Sequence, residues 1–312
     1  MLAKTFFKLF PPPKFLNIPY AGLDISDDAV HCIEYSTNIH GYSLHRYGMR
    51  ELAPGIVESG HIKNEAELIK IISSLAKELH ITTVKASLPE ERMYLFKTEV
   101  PTTNEDQIRQ NIEFKLEENV PLKPADAIFF FDIIPDTISN DKPYVSVSVA
   151  PRELVDTYLR VIQSAGIDVV AFEIQPKAIA HAVVSHDTKE TQIIVHSMNK
   201  KTGIYVVCGG VVCFTSTIVM EKGADTVLLQ RELSRVYSYW MDYGGGTPIS
   251  SIILSGCDAE RTIKSGHISP DSRIPVEIAQ VWKNAFSSDH YIPALKFEDS
   301  LDYAVAAGLA LP

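Results

Sequence analysis

The sequence has no run near the roughly 18 consecutive apolar residues that cross a bilayer, so it predicts no membrane-spanning helix. Cysteine is scarce, four in 312 residues, and none lies in the close pairs that bind zinc. Cys32, Cys208, Cys213 and Cys257 sit in apolar, strand-like surroundings, which reads as buried thiols in a reducing compartment. The ten histidines show no HExxH or comparable spacing, so metal catalysis has no support. Positive charge is also short: 29 Lys and Arg face 39 Asp and Glu, a net charge of −10. That balance argues against nucleic acid as the main partner, because phosphate backbones are held by clustered cations. The GxSxG, GxxxxGK(S/T) and kinase signatures are missing, as are low-complexity tracts and solenoid periods.

What is present is organised around Ile18 to Tyr35, IPYAGLDISDDAVHCIEY, two strand-like runs around a turn of Asp24, Ile25, Ser26, Asp27 and Asp28. A second copy of the plan runs from Gln192 to Phe214, again with β-branched residues between turn residues and a tight Gly-Gly turn. Two such openings predict two related α/β half-domains facing a shared cleft. Glu65 to Leu79 predicts a helix, with Leu68, Ile71, Ile72, Leu75 and Leu79 on one face. Residues 91–173 read as an inserted β-α-β-β-α-β module, its strands near Met93, Ala127, Tyr144 and Asp168 and its helices at Asn104 to Asn119 and Arg152 to Ala165. The expected division is therefore an arm at 1–18, a first half-domain at 19–90 plus 174–188, the insert at 91–173, and a second half-domain at 189–312.

The arm itself, MLAKTFFKLF, gathers Leu2, Phe6, Phe7 and Phe10 as apolar contacts, with Lys4 and Lys8 set apart and Pro11 to Pro13 ending any helix. Two readings stay open, a membrane-surface or partner-docking arm and an arm folded onto its own domain.

With these pieces placed, the chain resembles the type IV pilus assembly protein PilM family, relatives of the division protein FtsA. GLDISDDAVHCIEY is similar to that family's opening motif. VPTTNEDQIRQNIEFKLEENVPL and VSVAPRELVDTYLRVIQSAGIDVVAFEIQPKAIAHAV resemble its insert and return helix. LQRELSRVYSYW, GGGTPISSIILSGCDA and DYAVAAGLAL resemble its second half. The resemblance implies an actin-like two-lobed fold, of duplicated ribonuclease H-like domains, with an inserted SHS2/1C-type module. It implies a cytoplasmic platform, peripheral to the inner membrane, that binds the N-terminal tail of a bitopic PilN-like partner between the first half-domain and the insert. Contact with pilus motor ATPases is implied as well.

ATP with magnesium is the one cofactor the resemblance implies. Gly22, Asp24 and Ser26 would form the first phosphate loop, Ser197 the second, and Ser255 with Gly256 the adenosine strand, with Asp24 holding the metal through water. The sequence departs from the family pattern at each contact. Ser26 stands where a glycine is usual, His196 where an acid is usual, and Cys257 in place of a second glycine. Lys200 and Lys201 could bind phosphate, although a charged pair at a turn tip is most often solvated. Glu173 and Gln175 lie where relatives orient water. These departures favour a binding and scaffolding protein with a degenerate nucleotide cleft over an active ATPase or small-molecule kinase. An FtsA-like division tether is a third reading, disfavoured because the sequence reaches Pro312 without an amphipathic anchor.

Overall fold

The computed structural model describes residues 19–38, 41–135, 142–199, 201–219, 226–244, 247–264, 266 and 268–312. The arm residues Leu2, Phe6, Phe7 and Phe10, and Lys200, lie outside the described residues. Three sheets of three or more strands carry the architecture.

In the first, β1 (Ala21–Ile25) is buried along its whole length, as befits a strand covered on both faces. It pairs antiparallel with β2 (Ala29–Asn38), which pairs with β3 (Gly41–Glu51). A small hairpin, β4 (Val57–Glu58) and β5 (His61–Ile62), precedes helix α1 (Glu65–Leu79). The Asn64 side chain accepts a hydrogen bond from Glu67 N at the helix start, and His80 ends the helix in the left-handed region at φ 54°. Strand β6 (Thr83–Leu88) then returns parallel to β1.

After one 3-10 turn, Glu90–Arg92, the second sheet comprises β7 (Tyr94–Glu99), β8 (Ala127–Ile133) and β9 (Tyr144–Pro151), in the order β7-β9-β8. Helix α2 (Glu105–Asn119) covers it with Ile108, Ile112 and Leu116, closing a small core of its own.

The expected insert is cut short here. Helix α3 (Arg152–Ser164) places Tyr158, Val161 and Ile162 in the core of the first sheet, and β10 (Asp168–Ile174) pairs parallel with β6, from Asp168 opposite Thr83 to Ile174 opposite Leu88. Both elements thus complete the first sheet, ordered β10-β6-β1-β2-β3, instead of closing the insert at 173. The sheet of the insert spans only Tyr94 to Pro151, in the order strand, helix, strand, strand.

The third sheet repeats the first. Strands β11 (Thr191–Ser197), β12 (Lys201–Cys208) and β13 (Val211–Val219) form the meander, helix α5 (Thr226–Tyr243) follows, and β14 (Ile249–Ser255) returns parallel to β11. Helix α6 (Ala259–Lys264) and β15 (Val276–Ile278) complete the order β13-β12-β11-β14-β15, the same 3-2-1-4-5 pattern as the first sheet.

Two helices knit the lobes together. Helix α4 (Gln175–Val183) shares the largest core with the third sheet, although it follows the first in sequence. After a helical turn at Phe297–Ser300 (α7), α8 (Ala304–Leu309) crosses back onto β1. A Cβ at Gly308 would lie 1.7 Å from Ala178 O, and one at Gly22 would lie 2.0 Å from Ala306 O, so only glycine permits these contacts. The lack of a side chain at both positions lets the backbones approach and ties α8 to both α4 and β1.

Candidate functional site

The two hairpin turns, one from each lobe, converge as the sequence implies. Asp24, at the end of β1, is buried, and its Oδ1 accepts hydrogen bonds from Ser87 Oγ at 2.7 Å and Gln175 Nε2 at 2.9 Å. Its Oδ2 is buried without a hydrogen-bond partner. Ser26 closes the turn internally: its Oγ donates to Ala29 O at 3.0 Å and accepts from Ala29 N at 3.1 Å. Asp27 is not a free turn carboxylate, since it accepts from Ser59 N at 2.8 Å and Gly60 N at 3.0 Å. Gly22 packs against α8 in mid-strand, with the close approach to Ala306 as the reason for its lack of a side chain.

From the second lobe, His196 and Ser197 end β11. The His196 Nδ1 lies 3.2 Å from Ser255 Oγ, and burial, with Lys201 and His31 adding to it, pushes the imidazole down to about 3, so it is neutral. Ser197 Oγ accepts from Thr202 Oγ1 at 3.3 Å. Gly256 adopts φ +85°, and a Cβ there would meet Ser197 O at 2.1 Å, so the turn after β14 sits directly on the second hairpin. Cys257 is exposed, unlike the other three cysteines, and its thiol reaches Ser197 O at 3.5 Å. The expectation of four buried thiols fails there because the chain leaves β14 for the surface at Gly256.

Asp24, Gln175 and His196 come together around one cavity, joined by Glu90, Met198, Lys201, Gly203, Tyr205 and Val305. Its volume is about 10 Å³. That is room for about one water, whereas small-molecule sites occupy roughly 300–1,000 Å³. Tyr205 is the main occupant: it lies flat along its own strand, and a Cβ at Gly203 would come 1.9 Å from its hydroxyl. Lys201, for which the sequence left phosphate binding and a solvated turn tip open, is ion-paired with Glu91, both side chains mostly buried. Glu173 turns away from the cavity to Lys85, 2.8 Å away, and Lys177, 3.6 Å away. ATP with magnesium, which the fold family implies, does not fit this arrangement. Asp24 is the sole acid of the two phosphate loops to reach the cavity, its Oδ1 is committed to Ser87 and Gln175 so that only Oδ2 is left over, and a cavity of about 10 Å³ has no room for a phosphate chain.

Larger openings lie beside the insert. A groove of about 730 Å³ runs between β7 and the third sheet, lined by Phe96, Tyr144, Phe214, Tyr239, Trp240 and Tyr243 among others. Lys97 Nζ stands 4.7 Å from the Tyr144 ring and 5.7 Å from Trp240, and donates to Gly244 O at 3.2 Å. Phe214, Tyr239 and Tyr243 pack in sequence as tilted ring pairs, with centroids 5.1 and 5.4 Å apart. A smaller groove, about 190 Å³, separates β8 from α4, where Lys177 bonds Asp132 at 2.8 Å. Pro135 touches Gly209 between the two. Among the described residues β8 pairs only with β9, so its outer edge is open. The aromatic groove was not legible in the sequence, because its two walls lie more than a hundred residues apart.

Two lobes of the same 3-2-1-4-5 topology about a shared cleft, with a strand-helix-strand-strand insert, define the class: an actin-like ATPase fold. The family described as "Type IV pilus assembly protein PilM" matches residues 22–217, and the chain belongs to it. Among solved structures the chain is similar to a "PilM-PilN type IV pilus biogenesis complex", with TM-score 0.78 and 18% identity over 94% of this chain and 98% of that one. It is also similar to the cytoplasmic domain of EpsL, an inner membrane component of the type II secretion system of Vibrio cholerae (TM-score 0.49, 13% identity, 77% and 82% covered). A third is the ethanolamine utilization protein EutJ from Carboxydothermus hydrogenoformans (TM-score 0.48, 13% identity, 95% and 90% covered). No curated protein matches. Among the described residues no helix is long and apolar enough to cross a membrane.

Proposed function

We propose that this protein serves type IV pilus assembly as an adaptor, holding the extended N-terminal tail of a bitopic PilN-like partner at the cytoplasmic face of the inner membrane. The observation that carries the reading is the aromatic groove of about 730 Å³ beside the insert, in a chain of the PilM family. An extended peptide gains affinity from main-chain hydrogen bonds at a sheet edge and specificity from side-chain pockets. Here the rings around Lys97 supply the pockets, and the unpaired edge of β8, on the opposite side of the three-stranded sheet beside the smaller groove, offers backbone groups to a further stretch of the tail. The likeness to the PilM of a PilM-PilN complex supports the same partner class. From sequence the groove is expected between the first half-domain and the insert. The smaller opening, between β8 and α4, lies there, and the larger one is displaced towards the third sheet. The closed cleft weighs against the alternative of an active ATPase or small-molecule kinase.

The test is site-resolved cross-linking with a photoreactive peptide copied from the cytoplasmic N-terminus of the bitopic protein encoded beside this one. Adducts are expected on residues 95–97, 132–135 and 209–215. Adducts confined to the far side of the third sheet, or none, would contradict the reading.

A further inference from the structure

We propose that a polar clamp, formed by Glu90 and Glu91 of one lobe with Lys201, Tyr205 and, at its exposed rim, Thr217 of the other, joins the lobes in the place where relatives of this fold hold a nucleotide. A bound triphosphate bridges such lobes because both hairpin turns reach its phosphates. In this chain the turn after β6 and strands β12 and β13 of the second lobe reach each other instead. Lys201, the first residue of β12, ion-pairs with Glu91, their side chains 14% and 17% exposed. Thr217 Oγ1, on β13, donates to Glu90 Oε1 at 2.9 Å. Between them the Tyr205 ring fills the cleft over Gly203, 1% exposed.

The electrostatics agree with a site closed by ion pairing, in which Asp24 Oδ2, Glu90 Oε2 and Glu91 Oε2 stay buried without a hydrogen-bond partner. Burial raises the Glu90 carboxyl above its usual range, with Lys201 opposing that rise. Burial works against the charge of Lys201, but Glu91 and Glu90 outweigh it and hold the ammonium above its usual value. The ammonium is thus already neutralised by protein carboxylates. An incoming phosphate would have to displace Glu91 from Lys201 and would then lie among Asp24, Glu90 and Glu91 with that single ammonium to offset them.

The clamp's position gives it a second consequence. Glu90 and Glu91 form the turn that joins β6 of the first sheet to β7 of the insert, and Thr217 lies on β13, which flanks β7. Tying the turn to β12 and β13 therefore fixes where β7 stands, and with it the wall of the aromatic groove at Leu95 to Lys97. Glu91 and Lys201 are positioning residues for that groove.

Hydrogen exchange of the β7 and β13 amides in the full chain tests the clamp, using Lys201→Met, Glu91→Gln, the pair combined, and Lys201→Arg. Each neutralising single variant should speed exchange by about tenfold or more, since removing one partner strands the other's charge. The combined variant should exchange more slowly than the product of the singles, and Lys201→Arg should stay near wild type. Thr217→Val, which removes one hydroxyl, carries the test if Lys201→Met does not fold, with an expected increase of roughly threefold. Millimolar Mg-ATP should leave wild-type exchange unchanged. Unaltered exchange in the variants, effects that simply multiply, or slowing of wild-type exchange by Mg-ATP would each overturn the clamp. Because no partner peptide is present, failure here is distinct from failure of tail capture.

Discussion

Replacing His196 with Asn should change how stability depends on pH, by an amount the site geometry sets. The imidazole is 4% exposed, and its pKa falls from 6.5 to about 3 through burial first, then through Lys201 and His31. The unfolded chain takes up a proton near pH 6.5, while the folded chain stays neutral at this position far below that. Between those values the unfolded state binds more protons. The contribution of His196 is therefore complete above pH 6.5 and is lost as pH falls towards 3. At about 1.4 kcal/mol per pH unit, acidification from pH 7 to 5 should remove about 2 kcal/mol through this residue alone. Other groups titrate in the same window. His31 and His181 are also lowered by burial and add to the loss. Asp302, raised to about 6 by burial with Asp299 and Asp258 nearby, works the other way, its contribution fading as pH rises through 6. Subtracting the curve of His196→Asn isolates the imidazole, since Asn keeps a polar atom for Ser255 but does not titrate. Urea unfolding at pH 7 and pH 5 should show wild type losing about 2 kcal/mol more than the variant. Equal losses would refute a buried neutral imidazole.

Gly308→Ala forces the backbones of α4 and α8 apart, because the new Cβ would lie 1.7 Å from Ala178 O. The cost should reach about 3 kcal/mol, the upper end of ordinary overpacking, and lower the Tm by roughly 6–12 °C; an unchanged melt would show that the crossing is not tight. Calorimetry with Mg-ATP should give no binding heat, and a low-micromolar Kd that depends on magnesium would show that the cleft opens readily. The arm with Phe6, Phe7 and Phe10 offers too little apolar face for more than marginal anchoring. The full chain should pellet weakly with vesicles and a chain starting at Lys14 should not, so equal pelleting would remove the membrane role.

Local pattern sufficed where neighbours in sequence decide the outcome. Helix α1 is legible at both ends because its apolar stripe and the Asn64 cap are contiguous. The end of the insert was not. Residues 144 to 174 read locally as one strand-helix-strand unit, yet whether Asp168–Ile174 joins one sheet or another depends on parallel pairing with Thr83–Leu88, some eighty residues earlier. The nucleotide departures at Ser26, His196 and Cys257 were visible, but what closes the cleft was not. Nothing near Lys201 signals that its partner is Glu91, and nothing about Tyr205, in an apolar strand, signals that it lies over Gly203 into the cleft.

Tail capture is tested most directly by titrating the cytoplasmic N-terminal peptide of the neighbouring bitopic protein into this one, with and without Mg-ATP. A short tail is ordered on binding, so a micromolar Kd is expected, about −8 kcal/mol, and the value should be the same in both conditions. No binding in either condition would contradict the adaptor reading, and binding that appears only with nucleotide would return the cleft to the mechanism.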